Sequence, residues 1–217
     1  MKTILRVYQG SSVYSNIEYP TIEDIVEAIK RIPPSSIFIS QGSGFISDMI
    51  GIWGFINYFS YVWKWFRKTK SLRGMWSHTG FYFGGGKHAV VEAVAKGVSE
   101  NSILDYFNKK TKFLEIWSYN NFTTEKLQVL KDFCYKQIGK KYDILSFLDF
   151  LLNSKLDDPK AFICSELVVT GMKMFPQIPF MDVQEKNKVH PVQLFTWFNE
   201  EGIKKEWSKI VDYRTEG

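Results

Sequence analysis

The sequence predicts an α+β protein, on three observations. Two apolar runs, residues 79–83 and 88–95, flank Gly84, Gly85 and Gly86, the pattern of an antiparallel hairpin. Two helices are marked by their caps. Thr21 and Asp24 have capping-box spacing ahead of an apolar stripe, and Thr123 or Thr124 precedes a second stripe. Strand-like and helix-like stretches then follow one another through 217 residues with no repeat and no low-complexity linker, which suits a single domain over residues 1–217.

Each element has its own signal. Residues 4–8 alternate like a short strand. Ile22, Ile25, Val26 and Ile29 recur at helical spacing after Thr21, and Pro33 and Pro34 end that helix. Residues 37–39 form a buried strand and residues 41–44 a turn. After the hairpin come a short helix over 102–107 and a strand over 113–117. Leu127, Leu130, Phe133, Cys134 and Ile138 share one face of a helix that runs to Gly139. Residues 143–153 make another helix and 157–159 a loop. A helix begins at Cys164 and stops at Phe175 before Pro176. Pro191 opens a helix through Phe198, and residues 207–213 are a last strand.

Composition narrows the function classes. Hydrophobic residues make up 45% of the chain, enough to build a core and to exclude disorder. The net charge of +5 is matched by five basic residues between Lys64 and Arg73, a stretch without an acid. No nucleic-acid motif accompanies them, so a solvated loop is expected and no nucleic-acid partner. Residues 45–66 are very apolar, but Asp48, Asn57 and Lys64 interrupt them, whereas a membrane span needs ~20 predominantly apolar residues. Two readings stand. The stretch packs on the core or lines a cleft as one or two helices, or residues 45–73 make a peripheral membrane contact, with aromatics and basic side chains at the headgroups. Two cysteines are no disulfide framework and suit a reducing compartment. The first nine residues carry no apolar run of signal-peptide length, so a cytoplasmic protein is expected.

The candidate chemistry lies in His78 and Cys164. His78 begins a strand and Cys164 begins a helix. A thiol at a helix N-terminus beside an imidazolium ionises below its ordinary value of about 8.5. If the turn is the three residues Gly84, Gly85 and Gly86, Phe83 pairs with Lys87 and Glu92 falls directly opposite His78. Opposed residues share a face with Cβ atoms about 4.5–5.5 Å apart, so Glu92 can orient the imidazole. A four-residue turn would break that relation. Leu167, Val168 and Gly171 continue the face of Cys164, which lets its helix lie on the sheet, and its first amides can serve an oxyanion. The structural alternative is an inert buried cysteine, which is the reading for Cys134; His88 and His190 read as loop residues. No metal ligands and no cofactor are expected.

The strings that carry these residues resemble a known family. Ser-His-Thr-Gly-Phe-Tyr-Phe at 77–83, Val-Val-Glu-Ala at 90–93, Gly-Lys-Lys-Tyr-Asp at 139–143 and Phe-Ile-Cys-Ser-Glu-Leu-Val at 162–168 stand in the order of the YiiX/YaeF-type permuted papain-fold amidases. These are circularly permuted relatives of the NlpC-type cysteine peptidases. The resemblance covers roughly residues 35–175 and leaves N- and C-terminal elaborations. It implies a permuted papain-like fold, a small antiparallel sheet packed against helices. It also implies Cys164 as nucleophile, His78 as base and Glu92 as orienter, with Tyr142 and Ser165 at the substrate. The expected activity is a cysteine amidase or peptidase-type hydrolase acting on an amide, such as a cell-wall-type peptide, or on an ester, through a thioester. Residues 48–73 depart from the family pattern. They favour a second reading, a lipid-directed acyltransferase or phospholipase like the lecithin–retinol acyltransferase branch. A non-catalytic binding module is the third.

Overall fold

The computed structural model describes residues 2–41, 78–108, 110–143, 162–181, 189 and 191–216. The architecture is mixed α+β. Eight strands form one sheet: β1 (Lys2–Gln9), β2 (Ser12–Glu18), β3 (Ser36–Gln41), β4 (His78–Gly84), β5 (Ala89–Val94), β6 (Gly97–Ser102), β7 (Phe113–Tyr119) and β8 (Trp207–Glu216). Their order is β2-β1-β8-β7-β3-β4-β5-β6, and every neighbouring pair is antiparallel. The helices are α1 (Ile22–Lys30), α2 (Thr124–Gln137), α3 (Cys164–Lys173) and α4 (Pro191–Glu200). A 3₁₀ turn at Ile103–Tyr106 fills the short helix expected over 102–107.

The sheet is larger than the small one expected. β2 and β6 were not foreseen. β2 is an edge strand with most of its residues exposed, so it has no buried face to imprint an apolar alternation. β6 follows β5 after two turn residues and is polar along most of its length. β1 and β8, the first and last described strands, pair with each other and join the rest through β7.

Alternation of side chains across the sheet divides the core in two. One face carries Ile37, Ile39, Phe81, Val91, Phe113 and Trp117 under Leu167, Val168, Met172, Leu130 and Phe198 of the helices α2, α3 and α4. The other carries Leu5, Phe38, Tyr82, Val90, Leu114 and Val211 under Ile25, Ala28 and Ile29 of α1. β3, between β4 and β7, is covered on both faces, and all six of its residues are buried. That is why its sequence reads as an apolar run instead of an alternation.

The caps foreseen from sequence are made. Thr21 Oγ1 accepts from Asp24 N at 3.2 Å, and Thr21 N donates to Asp24 Oδ2 at 2.8 Å. Thr123 caps α2 by accepting from Lys126 N at 3.4 Å. The stripes are narrower than expected. Ile22 is 58% exposed, and Ile25, Ala28 and Ile29 carry the burial of α1. α2 ends at Gln137, where Ile138 turns to an extended conformation and is 39% exposed. α3 stops at Lys173 and α4 continues to Glu200. Gln41 belongs to β3, and the remainder of the turn expected over 41–44 lies outside the described residues. The apolar and basic stretch 45–73, the helix expected over 143–153 apart from Asp143, the loop 157–159 and His190 also lie outside them. Among the described residues, no helix is long and apolar enough to cross a membrane.

Candidate active site

The hairpin β4–β5 places the first two candidate residues, by a route the sequence arithmetic did not foresee. Gly84 faces Ala89 across a four-residue turn. Gly84 and Gly85 take φ of 72° and 80°, the left-handed region that glycine reaches without a Cβ clash. Such a turn alone would put His78 and Glu92 on opposite faces. A register shift between Tyr82 and Gly84 compensates, so that Tyr82 faces Val90 and Gly80 faces Glu92. Glu92 is therefore not directly opposite His78. The two lie on one face as diagonal neighbours, and His78 Nε2 hydrogen-bonds Glu92 Oε2. The residue between them is Gly80. A Cβ there would lie 2.9 Å from Glu92 Cβ and 2.7 Å from a ring carbon of Phe38. Only a glycine leaves that diagonal open.

Glu92 is 2% exposed and its carboxylate is held by three side chains. Tyr106 Oη donates to Oε2, the oxygen that also meets His78, and Asn101 Nδ2 donates to Oε1 at 2.7 Å. Burial pushes the carboxyl up, but the His78 charge and the hydrogen bonds from His78, Tyr106 and Asn101 more than offset it and hold the group below its usual range. Tyr106 and Asn101 were not singled out from sequence. Tyr106 closes the 3₁₀ turn that Ser102 caps, and Asn101 lies on β6 opposite Val90, next but one to the partner of Glu92. The weak available signal was a tyrosine at the end of a short helix just after the hairpin.

His78 starts β4 opposite Ser40, and its side chain is 23% exposed. The Tyr106 ring lies nearly parallel to the imidazole, 6° between planes and 6.2 Å between centroids, and Phe38 meets it at 5.8 Å. Burial alone would lower the imidazole pKa. The Glu92 charge, the hydrogen bonds to Cys164 and Glu92, and the charge at Cys164 outweigh it and push His78 up to about 10.

Cys164 arrives from the other side of the strand end. Gly171 of α3 lies against Phe81, where a Cβ would fall 2.9 Å from the ring. From Gly171 back to Cys164 is seven helical residues, about 10 Å of rise. From Phe81 back to His78 is three strand residues, again about 10 Å. The cysteine thus falls level with the histidine, at the end of β4 where side chains of the two faces can meet. Cys164 is 4% exposed and is a side-chain hydrogen-bond partner of His78. Ile163, the N-cap of α3, provides no side-chain cap to the first amides of the helix.

The approach to Cys164 is pinned from α2. Gly139 N donates to Val98 O at 2.9 Å and Val98 N to Lys140 O at 2.8 Å, which ties the end of α2 to the outer edge of β6. Tyr142 then forms an isolated parallel bridge with Phe162, with Phe162 N donating to Lys141 O and Asp143 N to Phe162 O, both at 3.2 Å. Burial raises the Tyr142 hydroxyl, and the charges at Cys164 and Asp143 raise it further, so this side chain lies within electrostatic reach of the sulfur. Ser165 is fully buried in the first turn of α3, and its Oγ has no hydrogen-bond partner among the described residues. Cys134 is fully buried under α3, and desolvation pushes its thiol up. His88 is in the turn, with its N–H on Gly85 O at 2.9 Å. Among the described residues no group of three His, Cys, Asp or Glu side chains is arranged to hold a metal. No protein-family model matches the chain, and no curated protein matches it.

Proposed function

We propose that the protein is a cysteine hydrolase with a permuted papain-like arrangement, cleaving an amide or ester bond through a thioester acyl-enzyme. The supporting observation is the chain of contacts from Cys164 to His78 to a buried, ionised Glu92, with the sulfur at a helix N-terminus whose N-cap residue, Ile163, gives no side-chain cap. The chain order, histidine strand before cysteine helix, is that of the permuted fold.

The chemistry follows from these positions. The attacking group is the thiolate form of Cys164, whose charge the positively charged His78 stabilises. The sulfur attacks the carbonyl carbon; a C–S bond forms and the π pair moves to oxygen. Amides in the first turn of α3 hydrogen-bond that oxyanion. Collapse expels the amine or alcohol, which takes a proton from His78. Neutral His78 then removes a proton from water, the hydroxide attacks the thioester, and Cys164 leaves as thiolate. Glu92 keeps the imidazole in one orientation throughout. The substrate class is a small peptide-like or ester-bearing molecule, and the two free thiols suit action in the cytoplasm.

Incubation with p-nitrophenyl acetate and a peptide-mapping mass spectrum test this reading. Acetylation confined to Cys164, lost in Cys164→Ala and strongly slowed in His78→Asn, is the expected result. Acetylation spread over surface lysines, with Cys164 unmodified, would sink it.

A further inference from the structure

The hydrolase reading uses Cys164, His78 and Glu92 and gives no role to Tyr106, which touches Glu92. We propose that Tyr106 is a positioning residue of this site, fixing through Glu92 both the charge and the ring plane of His78. The inference rests on the thiol chemistry proposed above and adds a member to it.

Three contacts converge on this side chain. Its hydroxyl donates to Glu92 Oε2, the same oxygen that His78 Nε2 meets, so tyrosine and imidazole are joined through one atom. Its ring lies against the imidazole with only 6° between planes. Phe38, fully buried, packs at 4.8 Å from the Tyr106 ring and 5.8 Å from the His78 ring, which backs both. Asn101 holds the second carboxylate oxygen. With both oxygens engaged from β6 and the 3₁₀ turn, the carboxylate cannot rotate away from the imidazole. The hydroxyl itself stays a donor, because burial and the neighbouring charges of Glu92, Cys164 and Asp105 all oppose its ionisation.

Those are also the groups that decide the titration. Glu92 meets His78, Tyr106 and Asn101; Tyr106 meets Glu92 and feels Cys164 and Asp105. A hydrogen bond donated to a carboxylate stabilises its charged form. Removing it must raise the Glu92 titration and weaken the charge that holds His78.

The test uses the full chain with ¹³C-labelled glutamate, the Glu92 resonance being assigned with Glu92→Gln. Tyr106→Phe keeps the ring and removes only the hydroxyl. Expected are a Glu92 midpoint shifted to higher pH and a Cys164 alkylation rate at neutral pH lower by roughly tenfold, the worth of one hydrogen bond to a charged group, with Cys134 still protected. A Glu92 midpoint that stays in place overturns the proposal, whether or not the rate falls, since a rate loss alone is what a packing defect would give. The titration is read on the resting protein. It therefore stands or falls separately from the acetylation of Cys164, whose absence would remove the hydrolase reading and leave the Tyr106–Glu92 linkage measured.

Discussion

Replacing Gly80 with alanine puts a methyl group into the space through which His78 reaches Glu92. The new Cβ would lie 2.7 Å from Phe38 Cε1, 2.8 Å from the Val91 carbonyl oxygen and 2.9 Å from Glu92 Cβ. Relaxed carbon contacts lie near 3.5–4.0 Å, so each neighbour would have to give by roughly 0.6–1.3 Å. None can do so freely. Phe38 is fully buried, the Val91 carbonyl belongs to the sheet, and Glu92 is held by three donors. Overpacking of this kind costs about 1–3 kcal/mol. Any shift of Glu92 also stretches its bond to His78, a charged hydrogen bond worth about 1.5–3 kcal/mol and so roughly tenfold or more in thiol reactivity. Guanidinium unfolding and iodoacetamide labelling of Cys164 measure the two effects. Gly86→Ala is the control, because a Cβ there meets nothing within 4 Å and its φ is not in the left-handed region. Gly80→Ala should lose about 1–3 kcal/mol and slow the labelling, while Gly86→Ala stays near wild type on both counts. If Gly80→Ala unfolds at the wild-type midpoint and labels at the wild-type rate, the diagonal geometry of His78 and Glu92 is wrong.

Two further outcomes follow from the same structure. In Glu92→Gln, the His78 midpoint followed by NMR should fall from about 10 toward the ordinary value near 6.5. Because the folded-state value lies above the unfolded one, the stabilisation from His78 is complete below about pH 6.5 and is lost as the pH rises through about 10. Wild-type unfolding free energy should decline across that window, and that of Glu92→Gln should be flatter; equal slopes would contradict the pairing. Thr21→Ala removes the cap hydrogen bond of α1 and should cost about 1 kcal/mol with no change in Cys164 labelling, since α1 and α3 pack into separate clusters on opposite faces of the sheet.

The class of fold and much of the element order are legible in the sequence because caps and buried apolar runs are local signals. Thr21, Thr123 and the all-buried strand β3 are examples. The relation of His78 to Glu92 was legible only in its parity. Glycines at 84 and 85 signal a turn but not its length, and the register shift beside Phe83 that restores the common face has no sequence mark of its own. Asn101 and Tyr106 were illegible for a different reason. The strand of Asn101 is mostly polar and lies at the sheet edge, and Tyr106 ends a single short 3₁₀ turn, so nothing in their pattern tells which buried group they serve. Ile22 shows the reverse error, an apolar residue at helical spacing that solvent reaches because it sits in the first turn.

The central claim is that Cys164 is an activated thiol and Cys134 an inert one. Iodoacetamide labelling of both, resolved by peptide mapping from pH 5 to 11, tests it directly. Cys164 should label rapidly in the folded protein, with a rate that changes as the pH passes about 10, where His78 loses its proton. Cys134, desolvated in the core, should stay unlabelled until the protein unfolds. Two cysteines that label slowly and together, with rates that only begin to rise near the ordinary thiol value of about 8.5, would contradict it.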